Sequence, residues 1–114
     1  MNKFDENCIF CKIAKGEIPT TPVYETDDVI AFNDLNPQAP VHILVIPKAH
    51  YSSLIEIDDI ELLGKVTNAV REITKKLGIT SYRTVINTGA QAGQTVMHLH
   101  FHIMAGREFT WPAG

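Results

Sequence analysis

The sequence predicts an α+β fold: about five antiparallel strands in one sheet, with one long and one short helix. Three observations carry this. Short runs of β-branched and aromatic residues are separated by segments rich in Pro, Gly and Asn. One long segment, beginning near Asp58, repeats its apolar residues at helical spacing. The last apolar run, MHLHFHIM, alternates strictly, as a strand with two different faces does.

The elements follow in order. Cys8 to Lys15 reads as a brief helix, with Gly16 as its stop. Pro19 and Pro22 force extended chain. Val23–Glu25 and Val29–Phe32 flank the polar stretch Thr26–Asp28 and read as a hairpin. Pro37 and Pro40 make residues 36–40 a loop. Val41–Ile46 is the most apolar run and predicts a central strand. The long helix starts near Asp58, where Asp58 and Glu61 resemble a capping box. Its stripe is Leu62, Leu63, Val66, Val70, Ile73 and Leu77. Lys75 and Lys76 suit its negative end, and Gly78 its stop. Tyr82–Asn87 predicts a strand, 88–94 a Gly-containing loop, and Val96–Met104 the last strand.

At 114 residues and 45% hydrophobic content the chain fits a single domain over 1–114. The net charge of −3 and the lack of a basic block argue against nucleic acid as a partner. No apolar run is long enough to span a membrane. The N-terminus MNKFDENCIFCK lacks the apolar core of a signal peptide, so the expected compartment is the reducing cytosol. There, Cys8 and Cys11 at C-x-x-C spacing suggest a metal site or redox pair rather than a structural disulfide.

On a strand, His98, His100 and His102 share one face, while Leu99, Phe101 and Ile103 face the core. One metal held by all three is awkward, because the outer Cα atoms sit about 13 Å apart at roughly 3.3 Å per residue. The row therefore divides. Cys8 and Cys11 supply half of a tetrahedral zinc site, and His50 and His98 are candidates for the rest. Such a site would be closed and structural. The alternative is a pair of reduced, partly buried thiols near unrelated histidines. Beside His100 and His102 lies the loop from Gly89 to Gly93, followed by Thr95. Its glycines, with the Asn87 amide and the Thr95 hydroxyl, suit an anion such as phosphate, although the loop has no P-loop pattern.

The run His98-Leu99-His100-Phe101-His102-Ile103-Met104 resembles the signature of the histidine triad (HIT) family. Cys8–Ile13, Ala31–Asp34, Pro37–Pro40, His42, Val45–Lys48, Asn87–Gly89 and Gly93–Val96 fall in the same order. The ending Gly106-Arg107 with Trp111–Gly114 is similar to the Hint branch, the purine nucleoside phosphoramidate hydrolases, in a bacterial type with a zinc site. The resemblance implies a HIT-like five-stranded antiparallel sheet and a homodimer that joins two sheets. It implies hydrolysis of purine nucleoside 5′-phosphoramidates at the α-phosphorus, through a nucleotidyl-histidine at His100. His102 would contact the phosphate or leaving group, and His42 would sit behind the triad. Phe10, Ile13, Phe32 and Leu35 would wall the base, Asp34 would take the ribose hydroxyls, and Asn87, Gly93 and Thr95 would hold the phosphate. Asn33 and Gln94 fall within the same nucleotide-binding set. The zinc set Cys8, Cys11, His50 and His98 recurs in bacterial-type members. Thr95 replaces the commoner Ser, and Asn33 the commoner His.

The chemistry suits these residue types. A neutral imidazole nitrogen can attack phosphorus, whereas a protonated one cannot. A nearby acid, His102 or Thr95, would assist departure of the amine. On pattern alone Phe10, Ile13, Phe32 and Leu35 also read as core, Asp34 as a turn residue and His42 as a buried strand histidine. Two other functions remain open: cleavage of dinucleoside polyphosphates, and nucleotide or partner binding with incidental catalysis.

Overall fold

The computed structural model describes residues 3–114; Met1 and Asn2, which open the stretch read for a signal peptide, lie outside it. The first element is α1 (Ile9–Lys15), capped by the Cys8 side chain and closed by Gly16. The hairpin follows as β1 (Tyr24–Glu25) and β2 (Val29–Asn33), with Tyr24 opposite Ala31. Thr26 turns it, its Oγ1 accepting the N–H of Asp28 at 3.2 Å and of Val29 at 3.1 Å. Next come β3 (Val41–Pro47), α2 (Ile60–Lys76), β4 (Arg83–Val85) and β5 (Phe101–Ala105). A short 3-10 turn over Ala90–Ala92, absent from the expectation, sits inside the glycine loop.

The five strands form one antiparallel sheet in the order β1-β2-β3-β5-β4. The two-residue period decides what each face carries. One face presents Val29, Ala31, Ile43, Val45, Leu99, Phe101 and Ile103 to Val66, Ala69, Val70 and Ile73 of α2. The opposite face presents Ile30, Phe32, Leu44 and Ile46 to Phe10 and Cys11 of α1. Leu99, Phe101 and Ile103 thus lie under the long helix, and the three histidines lie on the α1 side, as the alternation predicts.

Several boundaries differ from the expectation, among them β4, which spans Arg83–Val85 where Tyr82–Asn87 is expected. The α2 cap is Asp59, not Asp58: its Oδ1 accepts the Leu62 N–H at 3.0 Å. Leu77, the last residue of the apolar stripe, is exposed beyond the last helical turn. The last strand begins at Phe101 rather than Val96. The reason is that backbone groups of 96–100 have other partners. Leu99 N donates to Tyr51 O at 2.7 Å, His98 O accepts from the His100 ring, and Val96 O accepts from the Gln94 amide. His98 therefore lies in a bend and His100 on irregular chain leading into β5, and His102 alone of the three is in the ladder.

Candidate active site and metal centre

The Cys–His cluster is built by three segments. Cys8 and Cys11 lie at the start of α1, where a spacing of three puts both thiols on one side of the first turn. The Cys8 Sγ accepts the Cys11 N–H at 3.3 Å, and the Cys11 Sγ accepts the Asp5 N–H at 3.5 Å. His50 follows the end of β3, with its N–H on Lys3 O at 2.7 Å. His98 is fully buried and donates its Nε2–H to Pro47 O at 2.8 Å. That bond assigns the remaining lone pair to Nδ1.

This lone pair faces the other three donors. His98 Nδ1 lies 3.2 Å from Cys8 Sγ, 3.5 Å from Cys11 Sγ and 3.3 Å from His50 Nδ1; Cys11 Sγ to His50 Nδ1 is 3.3 Å. A tetrahedral zinc with bonds of about 2.0–2.3 Å separates its ligands by about 3.3–3.8 Å. The donor set and its spacing fit that ion. Burial moves the His98 pKa down to about 4, so no proton competes for Nδ1 at neutral pH. Burial pushes the Cys11 thiol up to about 11, with the adjacent Cys8 adding to the rise. A bare Cys11 therefore stays protonated, and a cation between the sulfurs supplies the charge that favours the thiolate.

Past His98 the two other imidazoles turn to a different partner set. His100 is buried, and its Nδ1–H donates to His98 O at 2.7 Å. Its Nε2 is therefore an unprotonated lone pair. Burial holds the His100 pKa below the usual imidazole range, against a smaller opposing effect of that carbonyl. The ring stands edge-on to Phe10 at 5.2 Å and to His102 at 5.0 Å between centroids.

His102 is fixed from behind by His42. The Gln38 backbone N–H donates to His42 Nδ1 at 3.0 Å, so the His42 proton is on Nε2. That Nε2–H donates to His102 Nδ1 at 2.8 Å. The His102 proton is in turn on Nε2, a buried atom without a partner among the described residues. Burial, with His100 and His42 adding to it, takes the His102 pKa down to about 4. A lone pair on His100 and an unused N–H on His102 thus stand side by side on neutral rings. Asp34, His42 and His102 also bring ligand-type atoms within 4.8 Å. The 2.8 Å contact between the two rings is a hydrogen bond, shorter than the edge of about 3.3 Å that two imidazoles span on zinc.

The remaining expected residues divide. Phe10 and Phe32 are buried edge to face at 5.6 Å, with Ile13 packed against their cluster. Leu35 is fully exposed and Asn33 is exposed. Asp34 uses Oδ1 to turn the chain, accepting the Asn36 N–H at 2.8 Å, while Oδ2 lies 3.5 Å from His42 Nε2. Gly93 has φ +96, and a Cβ there would stand 3.8 Å from the Asn87 amide nitrogen, so these two do meet. Gln94 is spent on backbone groups: its oxygen accepts Gly89 N–H at 2.9 Å and its nitrogen donates to Ser52 O and Val96 O. Thr95 is exposed, beside a shallow concavity shared with Asp5, Asn7, Ile9 and Met97. Gln38 was not singled out by its side chain, because its contribution is a backbone N–H.

A family model described as the HIT domain matches residues 15–109. The chain belongs to the HIT domain family. It is 50% identical over 112 residues to an uncharacterized HIT-like protein of Synechocystis sp., covering 96% of this chain and 98% of that one. It is 44% identical over 115 residues to the 14 kDa zinc-binding protein of Zea mays, covering 96% and 90%. Its fold matches the crystal structure of a HIT family hydrolase from Legionella pneumophila with a TM-score of 0.90 and 43% identity, over 95% of this chain and 100% of that one. Among the described residues no helix is long and apolar enough to cross a membrane.

Proposed function

We propose that this HIT protein is a nucleotidyl hydrolase that cleaves purine nucleoside 5′-phosphoramidates, with His100 as nucleophile. The observation that carries this reading is the pairing of a free His100 Nε2 lone pair with an unpartnered His102 Nε2–H. The Nε2 of His100 attacks the α-phosphorus, and the phosphorus–nitrogen bond to the leaving amine breaks. The amine departs with the His102 Nε2 proton, and the positive charge on the nucleotidyl-His100 ring offsets the charge this leaves on His102. Water then attacks phosphorus, the Nε2–P bond breaks, and a water proton returns to His102 Nε2. The Asn87–Gly93 turn and Thr95 would stabilise the phosphoryl oxygens, Asp34 would meet the ribose, and Phe10 with Phe32 would line the base side.

Cys8, Cys11, His50 and His98 would hold zinc; the maize relative is named as a zinc-binding protein. These four residues would let zinc crosslink α1 to the chain entering β5, and the chemical steps above are carried by His100 and His102. A second copy of the chain would cover β4, an edge strand, and the groove lined by Leu54, Leu63, Val70, Tyr82 and Ile86 beside it.

Turnover of a fluorogenic adenosine phosphoramidate tests the activity. The wild type releases the amine, and His100→Asn lowers the rate roughly 10³-fold or more. Full turnover by the variant would remove His100 from the role of nucleophile. A wild type that binds nucleotide but releases no amine would favour a binding module.

A further inference from the structure

We infer that Gly106 and Arg107 are positioning residues that latch the 36–40 loop and thereby set the tautomers of His42 and His102; the consequence for catalysis rests on the reading above. Gly106 ends β5 with φ +94, and a Cβ on it would lie 2.9 Å from Pro40 Cβ. The chain can therefore turn against Pro40 only without a side chain at this position. That close approach delivers Arg107, whose Nε donates to Gln38 O at 2.9 Å. The guanidinium is itself held, with Nη1 donating to Glu108 O at 3.0 Å and its carbon 4.2 Å from the Phe109 ring centre.

Gln38 is the residue whose N–H meets His42 Nδ1 at 3.0 Å. A backbone N–H can only donate, so it forces the lone pair onto Nδ1 and the proton onto Nε2. The same logic passes across the 2.8 Å contact to His102 and leaves its proton on Nε2, the buried atom without a partner among the described residues. Two of the loop's hydrogen bonds stay within its own region, Asn36 N reaching Asp34 and the Gln38 side chain reaching Asn36 O. Ala39 is buried, and Arg107 adds a side-chain hydrogen bond to the loop backbone from outside it. Without that tie Gln38 N–H drifts from His42, whose two neutral tautomers then both populate.

The test reads tautomers directly, by long-range proton–nitrogen NMR of histidine side chains in the metal-loaded protein without nucleotide, beside steady-state kinetics. In wild type, Nδ1 of His42 and of His102 has the shift of an unprotonated nitrogen. In Arg107→Ala and in Gly106→Ala the His42 Nδ1 signal moves toward that of a protonated nitrogen. With Arg107→Ala, kcat falls about 3- to 10-fold, the size of one lost hydrogen bond, while KM stays within about 2-fold. Arg107→Lys, which keeps a donor for Gln38 O, recovers most of kcat and the wild-type spectrum. Unshifted His42 signals in both Ala variants overturn the latch. A shifted spectrum with unchanged kcat overturns its bearing on catalysis. A wild type inert toward the phosphoramidate counts against the nucleotidyl reading, and the NMR then decides the latch alone.

Discussion

Four imidazoles, those of His98, His100, His42 and His102, each have one nitrogen claimed by a hydrogen-bond partner, and the claim decides what the other nitrogen can do. Pro47 O assigns His98 to a lone pair at Nδ1, His98 O assigns His100 to a lone pair at Nε2, and the Gln38 N–H assigns His42 and then His102 to protons at Nε2. The depressed pKa values have a measurable consequence. His102 sits at about 4 when folded and near about 6.5 when unfolded. Between those values the unfolded chain binds more protons. Its contribution to stability is thus complete above about pH 6.5 and is lost as pH falls toward 4. Thermal melts across this window should show Tm dropping as pH is lowered; a Tm that is flat or rises would contradict the burial of His102. For the same reason the acid limb of kcat/KM should lie below the range of an ordinary imidazole, since His100 is held below it too. The sequence disclosed which imidazoles share a face, because alternation is a local property. It could not disclose which nitrogen is free. The groups that decide it are backbone carbonyls and one backbone N–H, brought in by tertiary structure.

The long helix and central strand are the elements most legible in the sequence. In α2 the residues Leu62, Val66, Val70 and Ile73 recur at helical spacing and are buried, with Ala69 completing the face. Ile73 is 1% exposed and packs into the core between α2 and the sheet. Ile73→Ala should therefore cost about 2–5 kcal/mol, read as a lower urea midpoint with an unchanged slope; a cost below about 1 kcal/mol would mean that α2 does not seal this face. The start of β5 was not legible. Residues 96–100 alternate as a strand does, but their backbone is engaged by Tyr51, Gln94 and the His100 ring rather than by a ladder. Periodicity reports side-chain faces and is silent about which groups the backbone meets. The α2 cap shows a similar limit: Asp58 and Asp59 are chemically alike, and only reach to Leu62 N separates them.

At the scale of the molecule, α1 is joined to the sheet by Phe10 and by the Cys–His cluster, and both touch the chain that carries His98 and His100. Stripping the metal with a strong chelator should lower Tm by about 10 °C or more, the shift expected for loss of a tightly bound structural ion. An unchanged Tm in protein shown to have held one zinc would contradict the crosslinking role. The spacing of Cys8 and Cys11 made the half-site visible in the sequence; His50 and His98 needed the fold, which brings donors 48 residues apart to 3.3 Å. Covalent attack by His100 leaves a direct chemical trace. Protein mixed with an adenosine phosphoramidate, quenched within milliseconds and digested for mass spectrometry, should carry one added adenylyl group on the peptide bearing His100. An unmodified His100 peptide at every quench time, with the amine still released, would contradict the account.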